Sequence, residues 1–139
     1  MRFWDSSAVV PLLLEGPESP ALRTLAQADP VFVVWWSTPV ECASAIARLV
    51  REGVLAPEGE DQALELLAIL GNTWSEVLPA PTLRATVLRL LRVHPLRAAD
   101  ALQLAAALVW MGGAPNGAEL VTRDTRLAHA ARKEGFAVR

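Results

Sequence analysis

Apolar and polar positions along this chain follow two rhythms. "RFWD", residues 2–5, and "VFVVWW", residues 31–36, are short runs of aromatic and β-branched residues with no helical period. They predict strands, the second one buried. A strand over 119–122 in "GAELVTRD", a short one in "EVLP" and a terminal one in "FAVR" complete the set. Between them lie helical segments with clear punctuation. "SSAVVPLLLEG" reads as a short helix ending near Gly16, followed by a helix within Pro17–Gln27. In "STPVECASAIARLVREG" Thr38 is the expected N-cap, Pro39 suits the first turn and Gly53 stops the helix. Further helices are expected over Pro57–Leu70, closed by Gly71-Asn72, and over Pro81–Val93. Pro95 separates the latter from "RAADALQLAAALVWMGG", and a last helix spans Asp124–Glu134. Strands alternating with helices predict an α/β fold with a parallel sheet covered on both faces. Ligands in such sheets bind beyond the carboxyl ends of the strands.

The 139 residues suit one domain, and a hydrophobic content of 53% against 20% charged residues supplies a real core. The longest apolar run, Leu104 to Met111, is too short to span a bilayer, and Asp5 and Glu15 interrupt any signal-peptide pattern. A single cysteine, Cys42, excludes an intrachain disulfide, and a cytoplasmic protein is expected. With only His94 and His129 beside it, a structural zinc site is disfavoured.

The chemistry lies in four acids. Asp5 directly follows the first strand, Glu41 sits in the first turn after the second, and Asp124 lies two residues beyond "LVT". A parallel sheet brings those three strand ends to one edge, and Asp100 opens a helix able to lean over it. Each acid also has a plain structural reading. "TPVE" and "DALQ" fit capping boxes, with Thr38 and Asp100 as caps and Glu41 and Gln103 reaching back. Asp5 and Asp124 fit simple N-caps. Gathered together, however, the four would repel. Two charges about 5 Å apart cost roughly 3 kcal/mol at an effective dielectric near 20. Cations relieve such a cluster, and oxygen-only ligation suits Mg²⁺ or Mn²⁺ and phosphate-ester chemistry.

In this order the segments "WDSSAVV", "STPVECASAIAR", "LRAADALQLAAAL" and "LVTRDTRLAHAARKEGFAV" resemble the PIN-domain family, in particular VapC-type toxins of toxin–antitoxin pairs. The resemblance covers essentially the whole chain, residues 1–139. It implies a three-layer α/β/α domain with a central, mainly parallel sheet of four to five strands. It also implies a metal-dependent endoribonuclease that hydrolyses RNA phosphodiesters without a covalent intermediate. Asp5, Glu41, Asp100 and Asp124 take the family's acidic positions around Mg²⁺ or Mn²⁺. Asp5 and Asp100 lie nearest the principal metal, and Ser7 and Thr122 are supporting polar residues. A VapB-like antitoxin and a homodimer are the implied partners, with the Leu- and Ala-rich helix Pro57–Leu70 as a candidate surface. Many relatives carry His where this chain has Gln103, which cannot titrate and is given no acid–base role.

Arg89, Arg92, His94 and Arg97 precede Asp100 and are candidates for RNA phosphate contact, against the alternative of a solvated helix face. Overall charge is −2, but without the four acids 13 cationic residues face 11 acidic ones, so RNA is not excluded. Of five tryptophans, Trp4, Trp35 and Trp110 sit in apolar segments and read as core, whereas Trp36 and Trp74 stand at segment ends where base stacking is open to them. Cys42 reads as a packed thiol. Two rival functions follow from the same acids. One is a catalytically inactive PIN-fold module acting through protein or RNA partners. The other is a phosphotransfer enzyme using Asp5, but the dehalogenase pattern wants an acid at position 7, where Ser7 stands.

Overall fold

A computed structural model of the chain describes residues 1–29 and 31–139. The strands β1 (Arg2–Trp4), β2 (Phe32–Trp35), β3 (Ser75–Val77), β4 (Glu119–Val121) and β5 (Ala137–Val138) form one sheet in the order β3-β2-β1-β4-β5. All four pairings are parallel, with Phe3 opposite Val33 on one side and Leu120 on the other. The expected architecture is met with five strands.

Among the described residues, seven helices fill the connections: α1 (Ser6–Leu13), α2 (Ser19–Gln27), α3 (Thr38–Arg51), α4 (Pro57–Gly71), α5 (Pro81–Val93), α6 (Ala98–Trp110) and α7 (Thr125–Lys133). The period of two along each strand divides the core. Phe3, Val33, Trp35 and Leu120 pack on one face with α5, α6 and α7. Trp4, Phe32, Val34 and Val121 pack on the other with α1, α2, α3 and α4. Both faces are therefore covered, which is why "VFVV" shows no polar alternation. Helix α6 is buried from Gln103 through Leu108 because it lies under α5 against the sheet. No helix among the described residues is long and apolar enough to cross a membrane.

The helix ends correct two expectations. The N-cap of α3 is Ser37, not Thr38, and its side chain makes no capping bond because its backbone is αR. Thr38 is fully buried instead, where Gln103 Nε2 reaches its hydroxyl at 3.3 Å. The N-cap of α6 is Arg97, in extended backbone after Pro95, so Asp100 is the third residue of the helix rather than its cap. The stop at Gly53 is as expected. It takes φ +71°, and Val54 N donates to Leu49 O at 2.9 Å and Gly53 N to Val50 O at 3.0 Å, a Schellman motif.

Candidate functional site

The order β3-β2-β1-β4-β5 reverses direction between β1 and β4, and the crevice beyond that switch point is where open parallel sheets bind ligands. Asp5 leaves β1 there and Thr122 and Asp124 leave β4. Asp5 caps α1, its Oδ2 accepting from Ser7 N at 3.2 Å. The same oxygen accepts from the Ser7 hydroxyl and from Thr122 Oγ1 at 2.9 Å. Both hydroxyls face backbone on their other side, since Arg123 N donates to Ser7 Oγ at 2.8 Å and Asp124 N to Thr122 Oγ1 at 3.1 Å. Thus Ser7 and Thr122, singled out as supporting residues, both orient Asp5.

The side chain of Glu41 crosses the same edge from α3. Ser37 Oγ donates to its Oε1 at 2.7 Å, and its Oε2 accepts from Ser6 Oγ at 2.9 Å and Gln103 Nε2 at 3.1 Å. Ser6 also lies 3.5 Å from Asp5 Oδ1, so one hydroxyl spans both carboxylates. Ser6 and Ser37 are residues that sequence reasoning missed here. Their one visible signal is adjacency: "DSS" places Ser6 beside Asp5 and "ST" places Ser37 before the helix. Gln103, expected to reach back in a capping box with Asp100, instead donates to Glu41, 62 positions away, because Arg97 and not Asp100 caps α6.

Burial pushes Asp5 up to about 6 in spite of its three hydrogen bonds, and the Glu41 charge adds to the rise. Asp100 is raised first by burial and then by Asp124, with Glu41 contributing and the Arg97 backbone and guanidinium opposing. Glu41 is therefore the carboxylate that both Asp5 and Asp100 feel. Asp124 caps α7 through Oδ1, which accepts from Leu127 N at 2.7 Å. Cys42, beneath Glu41, is pushed up to about 12 by burial and by Glu41 and Asp5, so it is a packed thiol.

Among the cationic candidates, Arg97 stands beside Asp100 and Arg92 is exposed on α5. Arg89 is bound bidentately to Glu134, at 2.7 and 3.1 Å. His94 is buried, with Nε2 2.7 Å from Glu134 Oε1. Neither residue therefore belongs to a freely solvated face, because the end of α7 supplies the acid that holds them.

The four acids come from four separate segments, and their donors are oxygens only, which fits a hard divalent cation. Among the described residues, no group of three or more His, Cys, Asp or Glu side chains is arranged as a metal-binding cluster. The carboxylates are turned to the protein's own donors. Asp5 Oδ1 carries only the long contact from Ser6, and a cation would reverse the rise that burial and like charge impose on Asp5 and Asp100.

A parallel α/β sheet with acids at its switch-point edge is the arrangement of a ligand-binding α/β protein. A family model described as PIN domain matches residues 2–133, and the chain belongs to that family, whose members are generally nucleases. No curated protein sequence matches the chain. Among solved structures it is similar to FitAcB from Neisseria gonorrhoeae, with TM-score 0.65 and 18% identity over 99% of this chain and 96% of that one. It is also similar to FitAB bound to an IR36 DNA fragment, with TM-score 0.66 and 14% identity over 100% and 94%. A third similar structure is a toxin–antitoxin complex from Klebsiella pneumoniae, with TM-score 0.63 and 16% identity over 91% and 88%.

Proposed function

We propose that this chain, as one nuclease domain over residues 1–139, is a Mg²⁺- or Mn²⁺-dependent endoribonuclease and the toxin of a VapBC-type pair acting in the cytoplasm. The observation that supports the reading is the pairing of Asp5 and Glu41 through the Ser6 hydroxyl at one sheet edge, with Asp100 electrostatically coupled to Glu41 and Asp124. Neutral hydroxyls and an amide hold Asp5 and Glu41, and Arg97 is the cation set against Asp100. Those four acids would hold the ion, directly or through water. When bound, it supplies Lewis-acid stabilisation of phosphoryl charge and a more acidic water.

The chain's own residues do the positioning. Ser7 and Thr122 fix the plane of the Asp5 carboxylate, while Ser6, Ser37 and Gln103 fix Glu41. Asp100, less buried than Asp5, occupies the rim, and Arg97 beside it is suited to a substrate phosphate. The titles of the similar structures support an antitoxin partner. On this chain, Leu66 and Ile69 of α4 are exposed and line an apolar groove of about 330 Å³ with Leu12, Phe32 and Leu70, a surface suited to such a partner or to a homodimer.

The test is cleavage of RNA with Mg²⁺ or Mn²⁺. Activity is expected to vanish in EDTA and in Asp5→Asn and Asp100→Asn, and to be silenced by the product of a neighbouring small gene. Undiminished cleavage in EDTA or in both variants overturns the mechanism.

A further inference from the structure

The outward face of α3 is a stripe that the site described above does not use. Val40, Ser44, Arg48 and Arg51 are its exposed positions, spaced four, four and three apart and so on one side of the helix. A cleft of about 440 Å³ runs along them, from Ser6 and Glu41 past Ser44 to Arg48 and Arg51. Its inner end is the hydroxyl–carboxylate pair of the acidic edge itself, since Ser6 donates to Glu41 there. At the helix start stands Trp36, 50% exposed although Trp4 and Trp35 are buried. The indole of Trp36 is braced edge-on against Trp35, centroids 6.4 Å apart, and its backbone is tied to Val77 O at 3.1 Å. Trp36 directly precedes Ser37, which holds Glu41.

Neither cation is committed elsewhere. Arg48 lies 3.9 Å from Glu52 with both side chains more than half exposed, a pair of little worth. Arg51 has no ion pair among the described residues. Their position in the last turn of α3 suits the helix dipole, but that does not place them in a cleft ending at Glu41. A polyanion approaching four carboxylates on a chain of net charge −2 is repelled, so local cations must offset that repulsion. From Glu41 to Arg51 is about 15 Å of helix at 1.5 Å per residue, the length of a few nucleotides.

We propose that this stripe is a track for a single RNA strand leading away from Glu41, with Arg48 and Arg51 taking flanking phosphates and Trp36 stacking a base. It rests on the nuclease reading, and the experiment separates the two. Binding of a short fluorescein-labelled single-stranded RNA is measured by anisotropy in the Asp5→Asn background over a range of salt. Arg48→Gln/Arg51→Gln is expected to weaken binding about tenfold and to flatten the plot of log affinity against log salt by about 1.4, at roughly 0.7 per lost phosphate contact. Trp36→Ala is expected to weaken it about tenfold with the salt slope kept. The charge-matched control Arg132→Gln/Lys133→Gln, at the far end of α7 from Asp124, keeps the parent affinity.

With Asp5 intact, the α3 variants raise KM and keep kcat, and circular dichroism checks that each is folded. If the parent binds and cleaves RNA while the α3 variants match the control, the track is wrong and the nuclease reading stands. A deficit confined to a matched single-stranded DNA overturns the assignment to RNA. A parent that neither binds nor cleaves RNA removes the nuclease reading and the track with it.

Discussion

Two carboxylate clusters in this molecule are built alike and finished differently. At the end of α7, Glu134 receives Arg89 and His94, and the Arg89 guanidinium, with His94 beside it, holds its carboxyl below the usual range. At the sheet edge, the side-chain donors to Asp5 among the described residues are neutral, Ser6, Ser7 and Thr122, and burial drives it up to about 6. The first cluster contains its own counter-charge and is complete on folding. The second is held by neutral donors and carries a carboxyl raised by burial, the kind of perturbed group found at functional sites.

Substitutions break this contrast in a graded way. The largest effect is on cleavage. Asp5→Asn is expected to lower RNA cleavage more than about a hundredfold, since changing mere supporting residues around metals costs 10- to 100-fold. The same variant should make the metal-free fold more stable. Because the folded-state value of Asp5 is raised, its contribution is fully present below its unfolded value near 4 and is lost as pH rises through about 6. At pH 7.5 without metal, Asp5→Asn should therefore gain up to about 3 kcal/mol in urea unfolding, and the gain should disappear by about pH 4. A variant no more stable than wild type at either pH refutes the uncompensated charge.

Glu134→Gln should do the reverse, costing about 1–2 kcal/mol at pH 7 after allowance for the exposed Arg89. Glu134 is held low, so its contribution is present above its unfolded value and is lost as pH falls through the folded one. The gap from wild type should close in acid, read from the same unfolding curves. The smallest change in stability is expected for Gln103→Leu. It removes a donor to Glu41 but also a buried acceptor, Oε1, that has no partner among the described residues. Stability should move by less than about 1 kcal/mol, whereas cleavage should fall about tenfold. Equal losses in both would make Gln103 a packing residue only.

What the sequence disclosed follows from the range of the interactions involved. Strands and helices were legible because period, Pro and Gly are local: "VFVVWW" covers β2, and Gly53 ends the Schellman turn beyond α3. The caps Asp5 and Asp124 were legible for the same reason. Thr38 and Asp100 misled because their local pattern fits a capping box, while tertiary packing uses them otherwise. Thr38 is turned inward to Gln103, and the extended Arg97 caps α6, which starts two residues before Asp100. The meeting of Asp5 and Glu41 at one edge was inferred from the parallel sheet. The hold on Glu41 was not, since Ser6 and Gln103 lie 35 and 62 positions from it. His94 and Arg89 likewise meet an acid 40 and 45 positions later, which no local pattern announces.

The Ser7 and Thr122 hydroxyls join the first turn of α1 to the segment after β4, across 115 positions. Synthesis reaches Asp5, Glu41 and Asp100 well before it reaches Thr122. Domains fold as units during synthesis, so a chain halted on the ribosome before that point carries three of the acids but lacks both β4 and the hydroxyl that aims Asp5. The aim of Asp5 is thereby deferred until β4 has joined β1 and brought Thr122 to its carboxylate.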